Sequence, residues 1–335
     1  MADDLLRLDD RGLFCRKGGF HIDPWRPVER AVITHAHSDH ARFGSRHYHC
    51  ADQGVGLMRR RLGEDASIQG HAYREPIDLA GVRVSFHPAG HVLGSAQIRV
   101  EADGQVWVVS GDYKIEPDPS CAAFEAVPCD VFVTEATFAL PIYRWEPGER
   151  LMDDIFAWWD ANTRAGRASV LLGYSLGKAQ RVLAAVAERT DRPVYVHGAI
   201  EPLVEAYRAE GITLAPTVPV AETGRGHSFA AELVLAPPSA FASPWMRRFG
   251  DARTAFLSGW MRVRGNRRRR GYDHGFVMSD HADWPGLLAT VNATGARRVY
   301  ATHGYSDVLA RYLREETGVD ASSLQTLYGT AEDED

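Results

Sequence analysis

The sequence has little cysteine and no long apolar run. Only four of its 335 residues are cysteine, and no two of them form a CxxC pair, so neither a disulfide framework nor a cysteine zinc site is indicated. No uncharged apolar stretch approaches the ~18–20 residues that a membrane-spanning helix needs, so no membrane partner is expected. The N-terminal residues MADDLLRLDD are acidic and lack the basic-then-apolar order of a secretory signal, which predicts a cytoplasmic protein.

Lysine is also scarce, so nearly all the positive charge is arginine. The net charge of −6 gives no overall attraction to nucleic acid, although local clusters of charge matter more than the total. The abundance of arginine is explained more simply by genome composition than by phosphate recognition. With 45% hydrophobic and 24% charged residues, the chain has the composition of an ordinary globular protein of one large or two average domains.

The predicted elements change in character along the chain. Gly18-Gly19 lies between two short apolar runs, as in a hairpin, and Arg30–Thr34 is a candidate buried strand. Further strands are predicted over residues 82–86, 96–101, 106–110 and 130–134. From Glu149 onwards helices alternate with strands, which predicts a parallel, doubly wound sheet. The helices are predicted over 149–163, 176–189, 201–209, 284–293 and 306–315, and the strands over 169–172, 194–197, 232–235, 254–258, 276–278 and 298–301.

The densest group of metal-binding side chains is His35-Ala-His37-Ser-Asp39-His40. It follows the predicted strand 30–34 directly, and a loop after a strand can direct alternate side chains into one pocket. Imidazole together with carboxylate suits zinc, and also manganese or iron. The alternative is a surface loop that is rich in histidine and aspartate, and the position after a buried strand argues against it. The HxHxDH pattern resembles the metal-binding motif of proteins with the metallo-β-lactamase fold.

Two later motifs extend the resemblance. Pro88-Ala-Gly-His91-Val-Leu-Gly-Ser95 resembles the third ligand motif of that fold, and Ser110-Gly-Asp112 resembles the fourth. Gly-His and Gly-Asp are common turn dipeptides, so either motif alone would be weak. Their order after HxHxDH strengthens both. Asp23 fits the first motif of the family, a carboxylate that orients metal ligands.

Other motifs resemble the β-CASP branch of the fold, whose members process nucleic acids. They are Thr134-Glu135-Ala-Thr-Phe138, Phe276-Val-Met-Ser-Asp-His281-Ala-Asp283 and Ala301-Thr-His303-Gly304. Tyr174-Ser-Leu-Gly-Lys178-Ala-Gln180 is similar to a segment that opens a helix in the domain inserted in these proteins. The resemblance covers essentially the whole chain and is greatest to bacterial ligase-associated DNA exonucleases. It implies an α/β protein: an αββα metallo-β-lactamase sandwich from residues 1–144 and 273–335, with a Rossmann-like β-CASP domain inserted at 145–272.

The resemblance also implies a site with two divalent metal ions. The family pattern assigns one ion to His35, His37 and His91, the other to Asp39, His40 and His303, and the bridging position to Asp112. Zinc is favoured by ligand type, with manganese as the alternative. Two cations about 3.5–4 Å apart can share a hydroxide that attacks a phosphodiester. Glu135 would orient His281, which would protonate the departing sugar oxygen or clamp the phosphate, and the product would carry a 5′-phosphate.

A basic run lies between Trp260 and Tyr272. Its arginines are Arg262, Arg264, Arg267, Arg268, Arg269 and Arg270. Arginines with flanking aromatic side chains can follow a single strand, whereas a solvated loop is the simpler explanation for any single arginine. We expect the run as a whole, together with Lys178, to contact the substrate backbone.

These motifs leave three functions open. The first is a metal-dependent DNA exonuclease in repair, whose expected partners by resemblance are nucleic acid, an ATP-dependent DNA ligase and a helicase. The second is an RNA-processing exonuclease or endonuclease of the same branch. Only about thirty residues follow His303, which favours DNA modestly, because RNA-specific members often carry a further domain. The third is a small-molecule thioester or lactam hydrolase, which would need neither His281 nor Glu135.

Overall fold

The computed structural model describes residues 4–263 and 271–324. The chain divides into two compact units. The first unit combines residues 1–143 with residues 281–335, and the second unit consists of residues 144–280. The second unit ends at residue 280 because the strand His274–Phe276 pairs with Arg253–Leu257 inside it.

The first sheet of the first unit runs in sequence order from β1 to β6. Its strands are Arg7–Asp9, Gly12–Cys15, Phe20–Ile22, Arg30–Val32, His47–Ala51 and Ile68–His71. The antiparallel pair β2–β3 confirms the hairpin predicted at Gly18-Gly19. From β3 onwards neighbouring strands are parallel, so the loops that follow β3 and β4 leave the sheet at the same edge.

The second sheet has the order β19-β18-β11-β10-β9-β8-β7. In chain order its strands are Ile77–Leu79 (β7), Val82–Pro88 (β8), Ala96–Ala102 (β9), Gln105–Val109 (β10), Val131–Glu135 (β11), Arg298–Thr302 (β18) and Asp320–Ser323 (β19). Strands β10, β11, β18 and β19 are parallel, and the others pair antiparallel. The carboxyl ends of β10, β11 and β18 therefore meet at one edge of the sheet.

The two sheets of the first unit face each other across one apolar core. Side chains from both sheets share it, for example Phe20 and Ile22 from β3 with Phe86 and Ile98 from β8 and β9. The opposite face of the second sheet packs against helices α5 (Trp284–Thr294) and α6 (Ser306–Tyr312). Burial of this kind contributes ~25 cal/mol per Å² of apolar surface, so the core fixes both the position and the spacing of the sheets.

Helices α1 and α5 have clear local signals. Helix α1 (Val55–Leu62) ends at Gly63, whose φ of 94° lies in the region that favours glycine. Helix α5 begins after Asp283, whose side chain accepts a hydrogen bond from the amide of Gly286 (2.9 Å), and ends at Gly295 in the left-handed conformation. An aspartate N-cap and a glycine just past the helix end are the usual helix-end signals.

The second unit is built on a parallel sheet with the order β14-β13-β15-β12-β16-β17. Its strands are Ser169–Leu172 (β12), Val194–Val196 (β13), Thr217–Pro219 (β14), Leu233–Ala236 (β15), Arg253–Leu257 (β16) and His274–Phe276 (β17). Its helices are Gly148–Arg164 (α2), Lys178–Ala187 (α3) and Glu201–Ala209 (α4). The parallel sheet predicted from the alternation of helices and strands is confirmed.

The structure differs from the sequence-based expectation in a few elements. The strand expected at 276–278 lies at 274–276 instead, because pairing with β16 sets its register. Helix α1 was not expected, and neither were strands β1, β5, β6, β7, β14 and β19. Within residues 4–263 and 271–324 there is no helix of the length and apolar character that crossing a membrane requires.

Candidate metal centre

The loop after β4 carries the HxHxDH motif, and Asp23 fixes it in place. Asp23 follows β3 with a φ of 43°. Its Oδ1 accepts a hydrogen bond from the amide of Thr34 (2.8 Å), and its Oδ2 accepts one from the Thr34 hydroxyl (2.5 Å). The same Oδ2 accepts a hydrogen bond from Nδ1 of His40 (2.7 Å). One carboxylate thus holds both the start of the loop and the orientation of the His40 ring.

Three imidazole rings meet at one point. Nδ1 of His37 lies 3.1 Å from Nε2 of His35 and 3.0 Å from Nε2 of His91. His91 comes from the loop between β8 and β9, where the Ser95 hydroxyl accepts a hydrogen bond from the His91 amide (3.1 Å). At Gly90, φ is 73° and an added Cβ would collide with the carbonyl oxygen of Lys114. This glycine therefore lets the loop pack close enough to deliver His91.

Asp112 lies at the centre of the histidine cluster. Its Oδ2 is 3.4 Å from Nε2 of His35, 3.5 Å from Nε2 of His40 and 3.7 Å from Nε2 of His91. It follows β10 after Gly111, whose φ is 55° and whose Cα packs so tightly against Thr34 that a Cβ would lie 2.6 Å from it. A larger residue at position 111 would push the Asp112 loop away from the His35 loop.

His303 joins the cluster from the end of β18. Its φ is 60°, and its ring centroid lies 5.6 Å from that of His40. The next residue, Gly304, has a φ of 47°, and a Cβ there would be 2.5 Å from the Ala136 oxygen. On the other side of His40, Oδ2 of Asp39 lies 3.4 Å from Nε2. Asp39, His40 and His303 therefore form a second group beside the first.

Burial keeps most of these imidazoles neutral. Burial, reinforced by the nearby His35 ring, lowers the pKa of His37 to about 3. Burial, together with His35 and His281, holds the pKa of His91 well below its ordinary value. The pKa of His303 is lowered by burial and by His40. A neutral imidazole is the form that binds a metal ion, so these rings are already in the protonation state that metal binding requires.

At His40, by contrast, the neighbouring carboxylates favour the protonated ring. Burial disfavours its protonation, but Asp39, Asp112 and Asp23 outweigh burial and raise its pKa well above the ordinary value. Burial would raise the pKa of Asp112, yet His40 and His281 hold it well below its usual range. The three carboxylates around the buried His40 ring therefore make the electrostatic potential negative there, which favours a positive charge.

Glu135 and His281 form a pair next to Asp112. Glu135 is the last residue of β11, and its Oε1 accepts a hydrogen bond from the amide of Tyr113 (2.8 Å). Its Oε2 accepts one from Nδ1 of His281 (2.9 Å). The His281 ring centroid lies 4.8 Å from that of His91. Ligand atoms of Asp112, Glu135 and His281 lie within 4.8 Å of one another, so Asp112 belongs to this group as well as to the histidine cluster.

The predicted site residues therefore fall into two sets. The first unit brings together Asp23, His35, His37, Asp39, His40, His91, Asp112, Glu135, His281 and His303. The predicted substrate-contacting residues lie in the second unit. Arg262 ends a short 3₁₀ helix, Gly259–Arg262, whereas Arg264 and Arg267–Arg270 lie outside the described residues.

Lys178 has a partner that the sequence did not indicate. It is buried at the start of α3, and its ammonium group donates a hydrogen bond to Oδ2 of Asp280 (2.8 Å). Arg181 Nη1 lies 3.7 Å from the other oxygen of Asp280. Asp280 is 102 residues away in the chain, so no local pattern could have shown the pair. Contact between Lys178 and a substrate stays a prediction.

A small pocket that opens to solvent adjoins the second group of side chains. Asp39, His40 and His303 line one side of the pocket. Apolar side chains, for example those of Leu13 and Trp25, line most of the rest. The pocket was not predicted from the sequence, because its apolar lining comes from strand residues that have the pattern of an ordinary core. Trp25, two residues after Asp23, is the signal that could have indicated it.

The comparisons with known proteins agree with the motifs. No family model matches the chain. The chain is 33% identical over 318 residues to a protein of Opitutus terrae named "Probable DNA ligase", a match that covers 93% of this chain and 30% of that protein. It is 28% identical over 169 residues to the "Endoribonuclease YSH1" of Gibberella zeae, covering 49% of this chain and 19% of that protein.

A third relative is the "Cleavage and polyadenylation specificity factor 73" of Drosophila melanogaster, which is 30% identical over 113 residues, 33% of this chain and 16% of that protein. The chain is a homologue of these proteins. The resemblance to the β-CASP branch is thereby confirmed. The chain spans less than a third of the length of each of these curated relatives.

Solved structures are similar over most of the chain, as one example shows. It is a protein of unknown function from Enterococcus faecalis, with a TM-score of 0.60 and 13% sequence identity, covering 90% of this chain and 80% of that one. At this identity the similarity shows the fold alone. It agrees with a mixed α/β architecture of several sheets.

Proposed function

We propose that the chain is a metal-dependent nuclease, and more specifically a DNA exonuclease that acts in repair. The observation that carries the proposal is the position of Asp112, whose Oδ2 lies within 3.7 Å of Nε2 atoms of three histidines on two different loops. A buried carboxylate surrounded by imidazoles is an arrangement that suits divalent cations.

The donor set fits two cations. His35, His37 and His91 would hold one, and Asp39, His40 and His303 the other, with Asp112 shared between them. Bound there, divalent cations would supply a water of lowered pKa and would neutralise the growing charge on a phosphodiester. Imidazole donors favour zinc, while the carboxylates also suit manganese, so both belong in the test.

The chain's own residues would do the rest of the chemistry. Asp23 fixes the His40 ring through Nδ1. Glu135 fixes the His281 ring in the same way, which places the other ring nitrogen, Nε2, opposite Glu135. We assign to that nitrogen either a proton transfer to the departing sugar oxygen or a contact with the phosphate. The products would be a 5′-phosphate and a 3′-hydroxyl.

We also propose an identity for each unit. The first unit, with its two facing sheets and helices α5 and α6 on one of them, would be the metallo-β-lactamase domain. The second unit, with its parallel sheet, would be the inserted β-CASP domain. Their homology to β-CASP nucleases and the order of the strands support these assignments.

The match to the Opitutus terrae protein favours DNA over RNA, because it covers 93% of this chain, whereas the matches to endoribonucleases cover half or less. We therefore propose a DNA strand as substrate and a DNA ligase as a partner in the same repair reaction, with a helicase as a further partner. The second candidate is an RNA-processing nuclease, which the name of the YSH1 relative supports.

The test uses the full chain, stripped of metal and resupplied with zinc or manganese. DNA and RNA strands of one sequence, labelled at the 5′ or the 3′ end, are digested and their products resolved by length. We expect cation-dependent shortening of DNA by single nucleotides. Internal cuts or a preference for RNA would favour the second candidate. An absence of cleavage of either strand with either cation would overturn both.

A further inference from the structure

An exposed phenylalanine lies directly beyond the HxHxDH motif. Of the large apolar side chains in residues 4–263 and 271–324, Phe43 is the most exposed, at 60%. It is three residues past His40 and is flanked by Arg42 and Gly44. A ring left in water gains no burial free energy, and its position directly beside the candidate active site points to a binding role.

The loop that carries Phe43 is fixed by its neighbours. The Tyr48 hydroxyl donates a hydrogen bond to the carbonyl oxygen of Arg42 (2.8 Å) and accepts one from the amide of Ser45 (2.9 Å). The Ser45 hydroxyl accepts a further bond from the amide of Val28 (3.2 Å). The backbone that presents the ring is therefore set before any ligand arrives, which reduces the entropic cost of binding.

Two arginines tie the ring to the metal-binding loop. The guanidinium carbon of Arg61, from α1, lies 5.5 Å from the centroid of the Phe43 ring. Nε of Arg61 donates a hydrogen bond to the backbone carbonyl oxygen of Ala41 (3.4 Å), and its Nη2 donates one to the backbone carbonyl oxygen of Ser38 (3.5 Å). Nε of Arg42 donates a hydrogen bond to the backbone carbonyl oxygen of Asp39 (3.5 Å). The Arg61 guanidinium thus lies against the aromatic ring, and both arginines hydrogen-bond to backbone oxygens of the segment that contains Asp39.

We propose that Arg42, Phe43 and Arg61 form a stacking platform for an unpaired base of the substrate strand. The proposal rests on the proposed nuclease function. Aromatic faces stack on bases of any sequence, and neighbouring guanidinium groups attract the phosphates on either side. Four Cα steps separate Asp39 from Phe43, at most ~15 Å, so the stacked base belongs to a nucleotide close to the scissile bond.

The composition of the surface selects this occupant over a protein partner. The buried core of a protein interface is a contiguous apolar patch of several residues, whereas Phe43 is one ring among two arginines and a glycine. A duplex offers no free base face to the ring except at its end. The platform therefore directs the enzyme towards single strands or frayed ends.

The test measures strand binding separately from cleavage. A fluorescently labelled 12-nucleotide single strand of DNA is titrated with the full chain in EDTA, and its anisotropy is recorded. Phe43→Ala and Phe43→Leu should weaken binding about 5- to 150-fold, the loss expected for one stacked base, and Phe43→Trp should bind at least as tightly as the wild type. Arg61→Gln should flatten the salt dependence by about 0.7 in log–log slope. Val308→Ala and Arg311→Gln, an exposed apolar and an exposed basic change on α6, serve as controls.

Wild-type affinity in Phe43→Ala would overturn the platform, and so would a wild type that does not bind the strand. Unchanged affinity in Phe43→Leu would show a general apolar contact and reject stacking. An equal loss on a blunt duplex of the same length would reject the single-strand assignment. Failure of the nuclease proposal would be seen separately, as an absence of cleavage when zinc or manganese is supplied to a wild type that binds.

Discussion

The pair formed by Glu135 and His281 allows a sharp test of the proposed acid. A departing sugar alkoxide benefits from a proton, and general acid catalysis is worth ~10²–10⁴-fold, or about 3–5 kcal/mol of barrier. His281→Ala should slow DNA cleavage by that factor while the metal content stays unchanged. A phosphodiester with a nitrophenol leaving group should lose much less rate, since nitrophenolate departs without a proton.

The structure also sets the expectation for Glu135→Gln. The Tyr113 amide can only donate, so the amide oxygen of the new glutamine must remain there. Its NH₂ group would then face Nδ1 of His281, which could no longer carry a proton. Since an acidic imidazolium needs protons on both nitrogens, Glu135→Gln should lose most of the same factor on DNA.

The assay compares initial rates on a labelled strand and on bis(4-nitrophenyl) phosphate, with the metal content of every variant measured in parallel. His47→Ala, an exposed histidine outside the site, is the matched control. Equal losses on both substrates would reject the acid role and favour a phosphate clamp. Loss of metal in His281→Ala would mean that His281 is itself a ligand.

Three further predictions follow from the site and its surroundings. Asp112→Asn should abolish cleavage and lower the metal bound per chain, whereas Asp103→Asn at an exposed carboxylate should change neither; normal activity in Asp112→Asn would refute the shared-ligand role. Burial and the neighbouring His71 lower the pKa of His49 to about 4, below the ~6.5 of an unfolded histidine, so the unfolded chain binds the extra proton and stability should fall, by up to about 3 kcal/mol, as the pH drops from 6.5 to 4. Urea titrations should therefore show a weaker pH dependence in His49→Gln. Neutralising Arg267–Arg270 should flatten the salt dependence of strand binding by up to about one unit per lost phosphate contact, and an unchanged slope would indicate a solvated loop.

Much of the metal centre could be predicted because its signals are local. The HxHxDH motif, His91 in its glycine-flanked loop and Asp112 after Gly111 each follow a strand that its apolar pattern indicates. Parallel pairing accounts for Asp112, Glu135 and His303, which follow β10, β11 and β18 at one edge of the second sheet, whereas the HxHxDH loop comes from the other sheet and His91 from an antiparallel hairpin. The finer contacts have no such signal: the Tyr113 amide that holds Glu135 and the Asp280 partner of Lys178 depend on side chains brought together from distant positions.

The elements that were missed have physical reasons too. Strand β5 reads His-Tyr-His-Cys-Ala and β6 reads Ile-Gln-Gly-His, so neither has the apolar pattern of a buried strand. Their histidines are buried through a contact with each other, Nδ1 of His49 to Nε2 of His71 at 2.9 Å, which no sequence pattern indicates. The predicted position of β17 was two residues too far along the chain, because the register of this strand depends on pairing with β16 and not on its own composition.

The order in which the chain is synthesised has a consequence for this site. The first 143 residues contain Asp112 and five of the histidine and aspartate ligands proposed here, but His281 is 146 residues beyond its partner Glu135. Closing a flexible loop of that length costs roughly 4 kcal/mol in chain entropy, and a second unit that folds first would shorten the loop that remains to be closed. The pairing of β18 with β11 is the step that brings His303 to the cluster. A ribosome-bound nascent chain would therefore hold an incomplete candidate metal centre until β18 has emerged and paired with β11.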